Sequence, residues 1–201
     1  MLRIAFQGEL GAFSDQAVGA LFGPDAERLP LREFHDVVRA VADGRADFGV
    51  LPVENSVAGP VTSCLAAISA CGELEIGEQV VIPIEQCLLA HAGVALEELR
   101  SVASHPVALA QCAAFLRRHP HLRAEAAYDT AGAARDVAAG GRRSDAAIAG
   151  RAAAERYGLV VIADAIQDAP DNRTRFVTVA RAGAAARRAL DGQEAPRDVE
   201  T

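Results

Sequence analysis

Asp47-Phe48-Gly49-Val50-Leu51-Pro52-Val53, followed at once by Glu54-Asn55-Ser56, decides the fold. An apolar run of that length ended by a polar triplet reads as a buried strand that delivers a loop at its carboxyl end. Just upstream, residues 34–41 have a helical apolar period and stop at Gly44. Further back, residues 2–6 alternate around Arg3 and break at Gly8. Ser14 then caps a helix with Ala17, Val18, Leu21 and Phe22 on one face. Strand, helix and strand in this order predict an α/β protein with parallel pairing.

Downstream, residues 73–90 are rich in Ile, Val and Leu, as suits strands that cross between two lobes. A strand end at residues 102–104 precedes a helix opened by Pro106 and running to Arg117. Thr130 opens another helix to Ala139, residues 146–149 form a short buried strand, and residues 157–165 lead back toward the start of the fold. The expected organisation is two α/β lobes, residues 1–78 plus 165–181 and residues 79–164. A cleft between lobes is where a small ligand binds. Residues 182–201, Ala, Arg and acid without an apolar period beyond Leu190, read as a flexible tail.

Composition narrows the partners. The chain has 20 basic and 27 acidic residues, a formal net charge of −7, and every basic side chain is Arg. That balance disfavours nucleic acid and anionic membrane, while local arginines and helix N-termini still suit a small anion. Residues 1–8 lack a signal-peptide core and no 18-residue apolar run follows, so a soluble cytoplasmic protein is expected. Cys64, Cys71, Cys87 and Cys112 show no metal-type spacing and read as buried structural thiols.

Five polar clusters fall at element junctions. Gln7-Gly8-Glu9-Leu10-Gly11 leads to Ser14, whose helix start favours a carboxylate. Glu54-Asn55-Ser56 ends the strand quoted above. Ser104-His105-Pro106 with Gln111 opens a helix, and His105 beside Pro106 reads as structural. Asp129-Thr130-Ala131-Gly132 caps another helix with small residues. Asp171-Asn172-Arg173-Thr174-Arg175-Phe176 joins a hydroxyl to two guanidiniums, of which each is a planar two-pronged carboxylate ligand.

Taken in order, these motifs closely resemble the prephenate dehydratase family, which includes arogenate dehydratases, over residues 4 to about 176. The resemblance implies a two-lobed fold like a type II periplasmic binding protein, with mixed sheets and the active site in the inter-lobe cleft. It implies conversion of prephenate to phenylpyruvate in phenylalanine biosynthesis, by an enzyme that needs no cofactor or metal and forms a homo-oligomer, a dimer or larger. Thr174 then matches the group that assists departure of the hydroxyl, and Arg175 the carboxylate ligand. Asn55, Ser104 and Gln111 match active-site positions, and Glu54, Ser56, Gly11, Ser14, Thr130, Ala131, Gly132 and Phe176 are expected to line the substrate. Val107 stands where the family usually has Gln, and Ala66 near a family Asp. The regulatory ACT domain that usually follows is expected to be missing, because the chain ends 25 residues after Phe176, and with it feedback by phenylalanine. Prephenate decarboxylases lack the Thr-Arg-Phe motif that Thr174-Arg175-Phe176 preserves, and a solute-binding module is the non-enzymatic alternative. The period-2 rule adds one condition: neighbours Thr174 and Arg175 point to opposite faces if both lie in a regular strand.

Overall fold

In the computed structural model, residues 1–183 are described and divide into two compact units. The first comprises Met1–Gln7, Ser14–Ile82 and the described residues from Arg173 on, and the second comprises Gly8–Phe13 and Pro83–Asn172.

The first unit carries β1 (Arg3–Gln7), α1 (Phe13–Phe22), β2 (Glu27–Leu31), α2 (Phe34–Ala42), β3 (Phe48–Asn55), β4 (Gly59–Pro60), α3 (Thr62–Cys71) and β5 (Leu74–Pro83). In the second unit follow β6 (Cys87–Ala90), β7 (Ser101–Ser104), α4 (Pro106–Gln111), α5 (Ala113–Arg118) and β8 (Arg123–Ala126). It continues with α6 (Thr130–Gly140), β9 (Asp145–Ala149), α7 (Arg151–Tyr157) and β10 (Val160–Ala163). The chain then returns to the first unit as β11 (Arg173–Arg181).

Both sheets are mixed. The first has the order β2-β1-β3-β11-β5, with β4 paired to β3. β1 runs parallel to β2 and β3, while β11 runs antiparallel to β3. β3 is central and nearly continuous in apolar character because it is covered on both sides, and Val37, Val41, Leu51 and Val179 share one apolar cluster. The second sheet has the order β10-β6-β9-β7-β8, parallel from β9 through β8 and antiparallel at β6. Its two faces are closed by Leu89, Ala133 and Ala153 on one side and by Leu88, Leu99, Phe115 and Ile148 on the other.

The division differs from the expected bounds at three places, each with a local cause. Residues 165–172 stay with the second unit rather than returning at 165. The backbone N–H of Ile166 donates to Gln86 O at 2.9 Å, and Asp168 Oδ1 accepts from Ala114 N at 3.0 Å at the start of α5. Gly8–Phe13, expected in the first lobe, also belongs to the second unit: Ala12 is part of its apolar cluster and Tyr157 donates its hydroxyl proton to Leu10 O at 2.8 Å. The crossing expected at 78 falls between Ile82 and Pro83, because β5 runs on as part of the first sheet. The expected tail, residues 182–201, lies outside the described residues from 184 on. Among the described residues, no helix is long and apolar enough to cross a membrane.

Candidate active site

Antiparallel pairing of β3 with β11 sets Asn55 opposite Thr174 and Glu54 opposite Arg175. Each of these chain ends is polar where the apolar run stops, so the two motifs meet at one end of the ladder. Asn55 and Thr174 are both buried, at 8% exposure each. The amide of Asn55 is fixed by its surroundings: Oδ1 accepts from Val57 N at 3.0 Å and Ala58 N at 2.8 Å, and Nδ2 donates to Arg173 O at 3.1 Å. With backbone donors on one side and a backbone acceptor on the other, the amide has one sensible orientation. Nδ2 therefore donates to Thr174 Oγ1, at 2.9 Å. A hydroxyl that accepts from an amide turns its own proton elsewhere, and it donates more strongly for having accepted. Thr174 is thus held as a hydrogen-bond donor.

Arg175 does not share this geometry. Burial alternates from exposed Arg173 through buried Thr174 and half-buried Arg175 to buried Phe176. The Arg175 guanidinium donates to Glu54 Oε2 at 2.8 Å, both side chains being roughly half exposed. A register shift between Arg175 and Phe176 re-aims the strand just there. Glu54 is consequently a partner of Arg175, and Phe176, 2% exposed, belongs to the core rather than to a substrate surface. Arg173, exposed, forms no ion pair among the described residues. Ser56 ties the loop down: its N–H donates to Arg173 O at 2.9 Å and its Oγ accepts from Arg173 N at 3.0 Å. Ser14 is buried in the first turn of α1.

In the second unit several expected substrate contacts have other partners. Ser104 is 0% exposed and donates its hydroxyl proton to Ile148 O at 2.6 Å, which joins β7 to β9 and leaves it no surface for a ligand. His105 is structural as expected, accepting from Val107 N at 3.2 Å at the start of α4. Gln111 Oε1 accepts from Asn172 Nδ2 at 3.0 Å. Asp129 caps α6, accepting from Gly132 N at 2.8 Å. Burial pushes its carboxyl above the usual range. Thr130 follows at the first helical position, partly exposed, whereas Ala131 is fully buried. A side chain on Gly132 would run into the Tyr128 hydroxyl at 2.5 Å, so Gly132 makes room for a ring rather than for a ligand. At Gly11, φ +85°, the backbone of Ala153 lies 3.0 Å from where a Cβ would stand, so close packing on α7 accounts for this glycine.

Sequence reasoning passed over a polar cluster here. Glu9 Oε1 accepts from the Tyr128 hydroxyl at 2.6 Å and from Arg135 at 2.7 Å. Burial first, and then the bond to Glu9, push the Tyr128 phenol above its ordinary value. Arg135 lies within α6, six residues after its cap Asp129, and only the fold brings it to Glu9, so no local pattern signalled the cluster.

Comparison with known proteins gives this arrangement its context. The protein-family model described as prephenate dehydratase matches residues 4–184. Arogenate dehydratase/prephenate dehydratase 2, chloroplastic, of Arabidopsis thaliana is 41% identical over 180 residues, covering 90% of this chain and 46% of its own length. Prephenate dehydratase from Arthrobacter aurescens, solved in complex with L-Phe, superposes with a TM-score of 0.83 at 34% identity, over 90% of this chain and 61% of that one. GqqA, described as a novel type of quorum-quenching acylase, superposes with a TM-score of 0.78 at 38% identity, over 89% of this chain and 64% of that one. The chain spans less than half the length of the first curated relatives it matches. The expectation of a cytoplasmic protein is corrected by these comparisons, because several of the matched relatives are named as chloroplastic; the first eight residues are no guide to compartment. With the family model matched over nine-tenths of its length and with the Asn55–Thr174 pair where two of its motifs meet, the chain belongs to the prephenate dehydratase family.

Proposed function

We propose that the chain is a carbon–oxygen lyase of phenylalanine biosynthesis that converts prephenate to phenylpyruvate. The bond from the ring to its carboxylate breaks and releases carbon dioxide, the electron pair forms the new ring double bond, and the hydroxyl leaves as hydroxide, which takes a proton from solvent to become water. Aromatisation supplies most of the driving force, so the protein has to orient a dianion and ease the departing oxygen. The observation that carries the reading is the 2.9 Å hydrogen bond from Asn55 to Thr174, which leaves the threonine proton for that oxygen. A threonine is too weak an acid to be matched to neutral pH. Its contribution is a strong, pre-aimed hydrogen bond that grows as charge develops. Arg175, paired with Glu54, can bind carboxylate only by sharing or exchanging that partner, so Arg173 is proposed as the main carboxylate ligand. Gln111 and Thr130 are proposed as substrate contacts of the second unit. A homo-oligomer, a dimer or larger, is part of this reading.

A second reading, arogenate as the preferred substrate, is supported by relatives at 41 to 43% identity whose names carry arogenate dehydratase. Comparing kcat/KM for the two substrates separates them. Thr174→Val is expected to lower kcat by about 10² to 10³, the range for loss of one pre-aimed hydrogen-bond donor, with a smaller change in KM. Release of an aromatic product from prephenate at an unchanged rate by this variant would remove Thr174 from the mechanism.

A further inference from the structure

The parallel strands β7, β8 and β9 begin in one row, because their register sets Ser101 beside both Arg123 and Asp145. Residues just before these starts are tied in with them: Arg100 N donates to Ser144 O at 2.8 Å, and Arg123 N to Arg100 O at 2.9 Å. Arg100, Ser101, Arg123, Arg142, Ser144 and Asp145 together line a cavity of about 320 Å³, within the usual span of small-ligand clefts, about 300 to 1,000 Å³. Three guanidiniums share it with one carboxylate, in a chain whose formal net charge is −7. All six residues belong to the second unit, at the opposite end of β7 from Ser104, about 10 Å away at 3.3 Å per residue.

The one acid is already engaged. Asp145 Oδ1 accepts from Ser101 Oγ at 2.8 Å and Ser144 Oγ at 3.4 Å, and its Oδ2 accepts from Arg142 Nε at 2.6 Å. Asp145 therefore holds Arg142 in place, and the terminal nitrogens of Arg142 have no partner among the described residues. Arg123 gives Nε and Nη2 to Glu125 in an exposed pair, which contributes little and is easily exchanged, and keeps Nη1 for another acceptor. Arg100 spends only Nη1, on Glu97 O and Leu99 O, and has no carboxylate partner among the described residues.

We propose that this cavity binds a phosphate-type dianion, free phosphate or the phosphate of a small ester, apart from the carboxyl end of β7 that leads to Ser104 and Gln111. A carboxylate has two acceptor oxygens, which a single guanidinium fork satisfies. Three guanidiniums brought in by three strand starts suit the additional oxygens of a tetrahedral anion. Among the described residues none that lines the cavity is aromatic, so nothing there would stack on a nucleotide base.

Binding at this site is independent of the lyase chemistry and is measured directly. Isothermal titration calorimetry of the full chain in chloride buffer is expected to show one saturable site for inorganic phosphate or for glycerol 3-phosphate. Tighter binding of the ester assigns the site to a phosphate-bearing metabolite, and tighter binding of inorganic phosphate to the free ion. Arg100→Gln and Arg123→Gln should each weaken binding about tenfold or more, the effect of losing a charged hydrogen-bond donor. Arg117→Gln, which replaces an exposed arginine of α5 outside the cavity, should leave binding unchanged. The site is overturned by an absence of saturable binding, by malonate binding as tightly as phosphate, by wild-type affinity in both cavity variants, or by an equal loss in Arg117→Gln.

Discussion

Asn55 does two tasks with one amide, and the division is what makes its replacement informative. Asn55→Asp retains the acceptor for Val57 and Ala58 but presents Thr174 with an acceptor in place of a donor. The threonine proton then turns toward the new carboxylate, and the departing oxygen loses its partner. We expect kcat to fall by about 10² or more, comparable with Thr174→Val, and KM for the dianion to rise through repulsion. Steady-state kinetics with circular dichroism to follow folding tests this; wild-type kcat in a folded variant contradicts the orientation derived for Thr174. Residue identity was easy to read here and pairing was not. Asn55 and Thr174 were both visible as candidates, yet their contact depends on the β3–β11 register across 119 residues, which no local pattern specifies. The opposite facing of Thr174 and Arg175 was legible, because it follows from the two-residue period of a strand. What claims Arg175, namely Glu54, again needed the register.

Among the elements, those with strong periodicity or punctuation were readable. α2 covers Phe34–Ala42 where residues 34–41 were expected, and α6 covers Thr130–Gly140 where a helix from Thr130 to Ala139 was expected. β2, Glu27–Leu31, escaped notice since Arg28 and Pro30 interrupt its apolar pattern, and it pairs at the edge of its sheet, where Pro is tolerated. α7 was missed because its Ala-rich sequence has little contrast between faces. The single helix expected from Pro106 to Arg117 is broken at Cys112, whose φ −111° and ψ 23° leave the helical region, giving α4 and α5. At the start of α6, Asp129→Ala removes the acceptor for Gly132 N and should cost about 1 kcal/mol of stability, the usual value of an N-cap. Urea denaturation measures it. A loss under a few tenths would mean that the burial of Asp129, which raises its pKa, already offsets the cap.

The whole molecule carries its thiols in apolar surroundings. Burial pushes Cys64 and Cys112 up to about 12. A thiol held neutral when folded but ionising near 9 when unfolded contributes stability that is complete below pH 9. That contribution is lost as pH rises from about 9 to about 12, because the unfolded chain releases its proton first. Denaturation midpoints should therefore decline steadily above pH 9. Alkylation at pH 8.5 should modify the partly exposed Cys71 while sparing Cys64 and Cys112 until the chain unfolds. Mass spectrometry of labelled peptides reads the order, and early labelling of Cys64 would contradict its burial.

The return of the chain as β11 has a consequence for how the protein is made. β3 and its loop leave the ribosome more than a hundred residues before Thr174, and until β11 arrives the central strand of the first sheet has a bare side. The second unit, whose residues 83–172 are nearly contiguous, can complete its sheet while the first still waits. Synthesis therefore passes through a stage with one finished unit and one unfinished, exposed edge, the kind of species that aggregates or recruits chaperones. Because its last contributor sits at residue 174, the Asn55–Thr174 pair cannot exist in any nascent chain shorter than that and forms only with β11.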